Sequence, residues 1–481
     1  MKLKVFLFLF VMCFSLFSQQ EIKNFMLETY KYNQKLVETD SLGQIYYFFN
    51  YKNNFELKIL NSKLDIVGGK RFKLKEFNKH SSLQGIGFNV SDVFIYLYDS
   101  KNHTISRIKI DKQNIGSPSI SSSIQIPETE TLIDSRNIND SYHFISIDRV
   151  SNEFVIRRCQ DTFDSLATTR ISAHTELLAK ILSGNEKKIN LNHIQIYSDK
   201  IELTSSHSKL YEEKNTIYIT SDNKNMCHLF KLNLIDKTCT YNPLFFHISQ
   251  TNDNNIIGGN SIIKDDKLFR VTMSKNTFNT AVIDLNDFSL IKNYTFSSQS
   301  NSIDLQSSYP VEEIEFEDRA DTKEYLKTPE SFIEHIDPEH LAVAVADISE
   351  DEYLVQIGSS KTSYYTVTNP GYGPSFGMGS FSLGGGMGNM GNPAVYMPSS
   401  TTYLKTTKVY FKSILEKENL SKSFSENISN SIYDEVKAFE NQKVNTSYKN
   451  ISSIVCRENE IIYGYFSGKD DLYHLITFKT K

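Results

Sequence analysis

The sequence has no tryptophan and few cysteines for a chain of 481 residues. Without tryptophan there can be no WD-dipeptide repeat, and the side chain best suited to stacking on sugars is missing. Apart from Cys13 near the amino terminus, four cysteines remain, too few for a disulfide framework. Cys227 and Cys239 flank a predicted hairpin turn at 236–237, which would place Cys239 opposite Leu234. Their Cα atoms would then lie beyond the roughly 7 Å limit for a disulfide, so we expect buried free thiols or a pairing that the sequence does not show.

Excess positive charge and long apolar runs are also missing. The net charge is −5, and loss of Lys2 and Lys4 with a leader would change it to −7. A mildly acidic chain without a basic stripe does not suit a phosphate backbone, so we expect no nucleic-acid partner. After residue 18, no segment approaches the roughly eighteen apolar residues of a membrane-spanning helix.

Residues 1–18 have the pattern of a cleavable secretory signal peptide. Lys2 and Lys4 precede the uncharged run Val5–Phe17, which is shorter than the roughly twenty residues of a bilayer span. Ser18 supplies the small residue expected before a cleavage site. A retained anchor and lipidation of the leader cysteine are the alternatives. We expect an exported protein, located in the periplasm, at the outer membrane or outside the cell.

A strand, a short polar turn and a second strand recur along the chain, early copies being spaced by roughly fifty residues. The turns favour Asn, Asp, Ser, Lys and Gly, which accept left-handed backbone or bond their own backbone. About seven copies predict an all-β fold. The paired strands are Ile45–Tyr51 with Phe55–Leu60, Val93–Tyr98 with Ile105–Ile110, Phe144–Ile147 with Phe154–Cys159, Ile217–Thr220 with Leu229–Leu234, Leu268–Met273 with Thr280–Leu285, Tyr353–Ile357 with Val409–Leu415, and Ile461–Phe466 with Leu472–Phe478.

A repeat of four-strand length predicts a β-propeller of about seven blades over residues 19–481, with stacked β-sandwiches as the alternative. The last copy ends after its second strand, whereas earlier copies continue into a further strand such as Leu290–Phe296. A similar spare strand, Asn24–Tyr32, follows the leader. Pairing Phe25–Tyr32 with the final blade would remove two exposed edges. We therefore predict that this N-terminal strand closes the ring.

This pattern resembles the divergent β-propeller proteins exported by Bacteroidetes-type bacteria. Several of them carry a Gly- and Met-rich insertion before a strand similar to Lys408–Leu415. The resemblance extends over most of the chain after residue 18. It implies an exported propeller and no defined activity.

Four insertions interrupt the repeat, at about 160–200, 311–340, 371–398 and 420–442. Three of them contain predicted helices, at Ser172–Ser183, from Thr328 through Ile336, and at Ser423–Phe439. The second opens with an N-cap threonine and a proline, and the third with a capping box of Ser423 and Glu426. We expect these short helices to pack on the ring, with partner binding as the alternative.

The Gly/Met-rich loop, Gly371–Pro398, interrupts the turn of the sixth copy and holds nine of the 21 glycines. Glycine-rich chain loses too much entropy on ordering to fold alone, yet solvated linkers are usually polar. Methionine and aromatic side chains suit imprecise partners. A loop without a specific role and a loop contacting protein or membrane both fit. The candidate interaction residues are Phe376, Met378, Phe381, Met387, Met390 and Tyr396.

No motif identifies catalytic, cofactor-binding or metal-binding residues. Gly373–Gly377 matches G-x-S-x-G, but no helix follows to hold a nucleophile. Gly386–Gly391 fits G-x-G-x-x-G without opening a helix. The loop methionines lack a histidine or cysteine to complete a copper site. His335–His340 is interrupted by Pro338, and the acidic run Glu312–Asp321 lacks the order of a calcium loop.

These observations favour an exported, non-catalytic β-propeller that acts as a protein-interaction or scaffold component of the cell envelope. A propeller-fold hydrolase or a carbohydrate-binding protein is the alternative, because the fold alone does not determine function. We expect an envelope protein partner, peripheral membrane association as an option, and no cofactor. Carboxylates converging in a central channel would favour the enzyme.

Overall fold

The computed structural model describes most of the chain between Gln20 and Lys479. The described residues are 20–27, 32, 34–74, 77–89, 91–112, 118–138, 141–159, 167–175, 178–183, 189, 191–194, 200–213, 215–246, 255–316, 320–368, 400–423, 432–444, 451–457 and 460–479. The predicted signal peptide, residues 1–18, lies outside them. The candidate interaction residues also lie outside them: Phe376, Met378, Phe381, Met387, Met390 and Tyr396.

The described strands form seven sheets, numbered here in chain order. Sheet 1 contains β2 (Gln34–Thr39), β3 (Ile45–Tyr51), β4 (Asn54–Leu60) and β5 (Ile66–Lys73). Sheet 2 contains β6 (Ser81–Phe88), β7 (Asp92–Asp99), β8 (Thr104–Asp111) and β9 (Ser119–Gln125). Sheet 3 contains β10 (Glu130–Ile138), β11 (Ser141–Asp148), β12 (Glu153–Arg158) and β13 (Ala167–Ser172). Sheet 4 contains β14 (Asn192–Ile194), β15 (Ser208–Glu213), β16 (Thr216–Asp222), β17 (Met226–Asn233) and β18 (Thr238–Phe245).

The remaining sheets follow the same plan with two variations. Sheet 5 contains β19 (Gly258–Lys264), β20 (Lys267–Met273), β21 (Thr277–Asp284) and β22 (Leu290–Ser297). Sheet 6 has the order β24-β23-β27-β26-β25 and contains β23 (Val311–Phe316), β24 (Thr322–Tyr325), β25 (Leu341–Asp347), β26 (Glu352–Thr368) and β27 (Ser400–Glu416). Sheet 7 contains β28 (Ser453–Arg457), β29 (Glu460–Ser467) and β30 (Leu472–Lys479), joined by β1 (Gln20–Met26).

The two strands predicted for each copy of the repeat are adjacent antiparallel strands of one sheet, for example β3 with β4 and β29 with β30. These strands are buried on both faces, which explains their continuous apolar sequence; β3 buries Ile45–Asn50 without a break. Outer strands such as β5 are mostly exposed. Strands β14 and β15 pair parallel. Successive sheets of mostly antiparallel strands, built mainly from strands that follow one another in the chain, are the organisation of a propeller. The prediction of an all-β, propeller-type chain is confirmed at this level.

Hydrophobic cores lie between neighbouring sheets rather than within one layer. Separate clusters join sheets 1 and 2, sheets 2 and 3, sheets 3 and 4, and sheets 4 to 6. A further cluster joins sheets 7 and 1, where the Tyr47 ring centroid lies 5.9 Å from those of both Phe25 and Tyr473. Burial of one such aromatic side chain stabilises the fold by roughly 1.5–3 kcal/mol.

Strand β1 pairs antiparallel with β30, from Gln20 opposite Thr477 to Met26 opposite Leu472. The strand therefore lies earlier in the chain than the predicted Phe25–Tyr32. Phe25 and Leu27 are both buried in the core between sheets 7 and 1, and Tyr32 is buried there as well. Because apolar residues continue past the strand end, the sequence pattern did not mark where pairing stops.

The predicted helix at Ser172–Ser183 begins later than expected. Helix α1 is Leu178–Ser183, and Ser172 ends strand β13, where it lies opposite Glu153 of β12. Strand pairing therefore satisfies the backbone that the prediction assigned to a first helical turn. A short helix, α2 (Ile201–Thr204), was not predicted.

The helix predicted after Thr328 is confirmed. Helix α3 is Pro329–His335, and the Thr328 hydroxyl accepts a hydrogen bond from the Ser331 N–H at 3.1 Å. A 3₁₀ turn, Pro338–His340, follows. Helix α4 is Ile432–Lys443; the predicted cap Ser423 instead donates its N–H to Ile414 in a turn, and Glu426 lies outside the described residues. None of the helices in the described ranges is long and apolar enough to cross a bilayer.

The cysteines Cys159, Cys227 and Cys239 are free and buried, as predicted. Cys239 lies opposite Leu232, not Leu234, because the turn between β17 and β18 spans four residues. Burial raises the pKa of both Cys159 and Cys239 to about 12, so these thiols are unreactive at neutral pH. The Cys456 side chain lies outside the described part of the chain.

Candidate functional site

Each sheet has one edge strand that we call its inner strand: β2, β6, β10, β14, β19, β25 and β28. Strand β2 contacts β6 and β28, β6 contacts β10, and β19 contacts β25. Side chains also join them. The Leu83 N–H donates to the Gln34 side chain at 3.3 Å, and Asn137 Nδ2 donates to the Ile86 carbonyl at 2.5 Å.

Charged side chains from these strands and from β15 converge in a group that we call the inner-strand cluster: Glu38, Asp134, Arg136, His193 and Glu212. Arg136 is paired with Asp134, and its Nη1 lies 2.8 Å from Glu212 Oε1. His193 Nδ1 lies 3.6 Å from Asp134 Oδ1. Asp134 and Arg136 side chains are buried, whereas Glu212 and His193 are half exposed. Three sheets thus contribute to one partly open polar site.

A β-bulge in β10 helps to place this cluster. The pairing of β10 with β11 shifts register between Leu132 and Asp134, so Ile133 is an extra residue in the strand. The Ile133 carbonyl accepts a hydrogen bond from His193 Nε2 at 3.1 Å. Bulges redirect the side chains that follow and are common beside functional sites. Both nitrogens of His193 therefore face oxygen atoms of the bulged segment.

Two carboxyl groups of the cluster, those of Glu38 and Glu212, have raised pKa values. Burial, assisted by the charge of Glu212, raises the pKa of Glu38 to about 7. Burial also raises the pKa of Glu212; Arg136 opposes this shift and Asp134 adds to it. A carboxyl group that titrates near neutral pH can donate or accept a proton. The arrangement therefore has the protonation properties of a general acid or base.

A cavity adjoins the cluster and shares Glu212 with it. The space that it offers to a water-sized molecule is about 70 Å³. Its walls come from sheets 4, 5 and 6 and are largely apolar. The lining residues are Ile194, Tyr211, Glu212, Glu213, Tyr218, Ile262, Ile263, Lys264, Asp265 and Val345. Within the described residues, no three histidine, cysteine or acidic side chains are grouped to hold a metal ion.

A second charged group lies between sheets 4 and 5 and is fully buried; we call it the Asp222 network. Asp222 accepts hydrogen bonds from Lys209 at 3.0 Å, from Arg270 at 2.5 Å, and from the Ser261 N–H and hydroxyl at 2.9 Å. Burial alone would raise the pKa of Asp222, but Lys209 and Arg270 hold it below its usual value. Because no side chain of the three charged residues is exposed, this network joins sheets and offers no access to a ligand.

The described residues among those singled out in the sequence do not belong to the inner-strand cluster. The predicted loop falls outside the described residues, but its flanking strands β26 and β27 pair as far as Thr368 opposite Ser400. In the acidic run, Glu313 pairs with Lys323 at 2.6 Å. His340 lies 3.2 Å from Asp337 beside the 3₁₀ turn. These contacts are local pairs on strands and turns.

Sequence reasoning missed all five members of the inner-strand cluster. Glu38 lies in a strand of sheet 1, whereas Glu212 lies in sheet 4, so no fixed spacing joins them. Only the general expectation that carboxylates could converge at the centre of the ring anticipated such a site. Strand β10 is polar along most of its length, so Asp134 and Arg136 gave no distinct local signal.

The comparisons with known proteins found only weak structural similarities. No protein-family model matches the chain, and no curated protein matches it. The structure is similar to the Dos1 propeller, with 9% identity, coverage of 97% of both chains and a TM-score of 0.34. It is similar to virginiamycin B lyase from Staphylococcus aureus in complex with quinupristin, with 11% identity, coverage of 96% of this chain and 100% of that chain, and a TM-score of 0.32.

An ACO/RPE65 chimera is a further similar structure, with 8% identity and a TM-score of 0.30. That match covers 55% of this chain and 61% of the chimera, so the chain spans less than two thirds of its length. Similarities at these TM-scores and identities do not establish a function for this chain.

Proposed function

We propose that the seven sheets are the blades of one closed propeller and that the chain is an exported, non-catalytic interaction component of the cell envelope. Three features support the ring: the repeated sheets, the cores between neighbouring sheets, and the pairing of β1 with β30. Pairing the first strand with the last removes two free edges. The interaction role depends on a different feature, the long hairpin of sheet 6.

The hairpin of β26 and β27 extends well past its sheet. Each strand has 17 residues, but β25 pairs with β26 only as far as Ser359. On the other side, β23 pairs with β27 only as far as Lys405. From Tyr364 onward, the described chain shows only a two-stranded ribbon, which we call the projecting ribbon: residues 364–368 and 400–404. Such a ribbon is marginally stable in water unless something packs on it.

The surface of the projecting ribbon suits contact with another protein. Tyr364 lies directly opposite Leu404, and both are exposed, at 75% and 38%. Lys361 and Lys405 flank a stretch without charges. Proteins commonly use charged side chains to prevent strand edges from pairing with other chains, and this stretch lacks them. Exposed strands without charges can recruit further strands from partners. The Gly/Met-rich loop joins the two strands of this ribbon.

The test is a shortened protein in which Asn-Gly replaces residues 364–404 between the opposed residues Ser363 and Lys405. We expect a partner in fixed stoichiometry to co-purify with the tagged full-length chain from native envelopes and to be lost from the shortened one. An unchanged unfolding temperature would show that the propeller is intact. The variant matched to the shortened protein is a full-length chain that carries both Tyr364→Ser and Leu404→Ser. It keeps the loop and changes only these two exposed side chains of the projecting ribbon. A full-length chain that purifies alone, or a shortened chain that keeps the partner, would contradict the interaction role.

Export is tested separately from the interaction role. We expect the mature protein to begin at Gln19 and to fractionate with the envelope or the medium. Amino-terminal sequencing of the mature protein measures the first residue directly. Recovery of a chain beginning at Met1 in the cytoplasmic fraction would contradict export.

The inner-strand cluster supports a second candidate, a propeller-fold hydrolase or carbohydrate-binding protein. The observation that favours it is the convergence of Glu38, Asp134 and Glu212 beside a cavity. A hydrolase would show a pH–rate profile with an ionisation near 7, which Glu38→Gln would remove. Glu324→Gln, on exposed strand β24, is the matched control. Absence of turnover for peptide, ester and glycoside substrates would count against this candidate.

A further inference from the structure

The projecting ribbon belongs to a long stretch of the chain without a charged side chain. No Asp, Glu, Lys, Arg or His occurs between Lys361 and Lys405, although 23% of the residues in the whole chain are charged. This stretch includes both strands of the ribbon, residues 364–368 and 400–404. The lack of charge is therefore a property of the paired strands themselves and not only of the Gly/Met-rich loop that joins them.

Edge strands elsewhere in the fold carry residues that prevent pairing with other chains. Strand β5 is an edge of sheet 1 and contains Lys70, Arg71 and Lys73. Strand β18 is an edge of sheet 4 and has no charge, but it contains Pro243. Charged side chains and proline are common means of protecting a strand edge. Residues 362–368 of β26 have neither.

The edge of β26 that faces away from β27 is open over residues 362–368 in the described part of the chain. Strand β25 pairs with β26 only as far as Ser359, and Lys361 Nζ lies 2.9 Å from Asp337, which precedes the 3₁₀ turn. Beyond Lys361, no third strand of the described ranges pairs with β26. Residues 362–368 are mainly threonine, tyrosine and valine, which favour strands. This edge therefore offers backbone donors and acceptors to a further strand.

We propose that residues 362–368 of β26 pair antiparallel with the same residues of a second copy of this chain, around a two-fold axis. The two ribbons would then form one four-stranded sheet. A two-fold axis brings each residue of the paired strand close to its own copy, so a charged residue there would meet a like charge, which destabilises the pair. A partner of different sequence could supply the opposite charge instead. The complete lack of charge therefore favours a second copy at this edge.

The inference rests on the interaction role proposed for the projecting ribbon and names the partner of one of its two edges. Tyr364 is 75% exposed in the single chain and would gain a cross-strand neighbour from the second copy. A strand pair about 23 Å long is smaller than the interface of a permanent dimer. We therefore expect a reversible dimer with a dissociation constant in roughly the micromolar range. Strand β27 and the Gly/Met-rich loop stay available to another protein.

Sedimentation equilibrium of the purified mature chain, at about 1 to 200 µM, measures this association. The test compares two variants, Thr366→Lys and Thr402→Lys. Thr366 of β26 lies directly opposite Thr402 of β27, so both variants make the same change at the same level of the ribbon, and only Thr366 lies on the pairing strand. We expect Thr366→Lys to weaken the dimer roughly tenfold, and Thr402→Lys to leave it nearly unchanged.

Three results would overturn the inference: a wild-type chain that stays monomeric, equal dimers in Thr366→Lys and in the wild type, or equal weakening by both variants. A series of growing oligomers would also overturn it, because a two-fold contact closes at two copies. Failure of the inference is distinguishable from failure of the proposed function. A monomer that still retains an envelope protein through the ribbon contradicts only the second-copy pairing, whereas a dimer that retains no other protein contradicts only the envelope partner.

Discussion

The Asp222 network and the inner-strand cluster are built from the same kinds of residue but have different roles. In the Asp222 network, one carboxylate meets Lys209, Arg270 and both donors of Ser261, all without exposure to solvent. In the inner-strand cluster, Asp134 and Glu212 share Arg136, His193 lies beside Asp134, and the site remains partly open. The first lowers the pKa of its carboxyl group; the second raises the pKa of Glu38 to about 7.

The difference shows that the ratio of donors to carboxylates distinguishes a structural site from a candidate functional one. A buried carboxylate with a full set of donors stays ionised and joins its neighbours. Carboxyl groups that outnumber their cations keep a capacity for protons or for an added cation. Four variants, taken from the largest expected effect to the smallest, test this contrast.

Asp222→Asn should have the largest effect. It leaves Lys209 and Arg270 buried without their counter-charge, and loss of one partner of a buried pair typically costs about 3–5 kcal/mol. Urea unfolding at pH 7 measures the loss. If the variant does not fold, Ser261→Ala removes only one of the two Ser261 donors and should cost about 1–2 kcal/mol. Wild-type stability in both variants would contradict a structural role.

Arg136→Gln should destabilise the fold less. It leaves the buried carboxylate of Asp134 without its cation, but solvent reaches the cluster through the half-exposed Glu212 and His193. We expect a loss of about 1–2 kcal/mol in the free energy of unfolding at pH 8. Mild acid should recover part of it, because protonation of the carboxyl groups relieves their repulsion. A loss equal to that of Asp222→Asn would mean that the two sites do not differ.

Glu38→Gln should change the pH dependence of stability more than the stability itself. The pKa of Glu38 is raised to about 7 in the folded chain, so between the unfolded value near 4.3 and pH 7 the native state holds a proton that the unfolded state has lost. This group therefore favours folding at low pH, and its contribution is lost as the pH rises through 7. The opposite sign holds for Asp222, whose contribution is lost in acid.

Urea unfolding of the wild type and of Glu38→Gln between pH 5 and pH 8 measures this effect. The wild type should lose more stability over this interval than the variant, by an amount on the order of 1 kcal/mol after allowance for solvent screening. Parallel curves for the two proteins would show that Glu38 titrates normally.

Asp65→Asn should have the smallest effect. Asp65 forms a 2.7 Å pair with Lys23, and both side chains are about half exposed. Exposed pairs contribute little because water and salt screen them. Unfolding should show no resolvable change, which makes this variant the baseline for the other three.

The sequence predicted the hairpins well because both strands and the turn of each hairpin lie close together in the chain. Lys52, Lys237 and Asp471 adopt positive φ in turns that the polar residues had marked. It predicted helix α3 because Thr328 and Pro329 form a local start signal. It missed the strand at Ser172, since pairing with β12 decided that segment.

What the sequence determined by itself is the all-β, repeated character of the chain. Apolar strands separated by left-handed turns specify a hairpin through contacts between near neighbours. The tertiary structure alone decided which charges meet. Glu38, Asp134 and Glu212 belong to three sheets, and only the packing of inner strands brings them together; Asp222 differs from them because Lys209 and Arg270 reach it. The same carboxyl group is structural or available for chemistry according to its spatial neighbours, which local sequence does not encode.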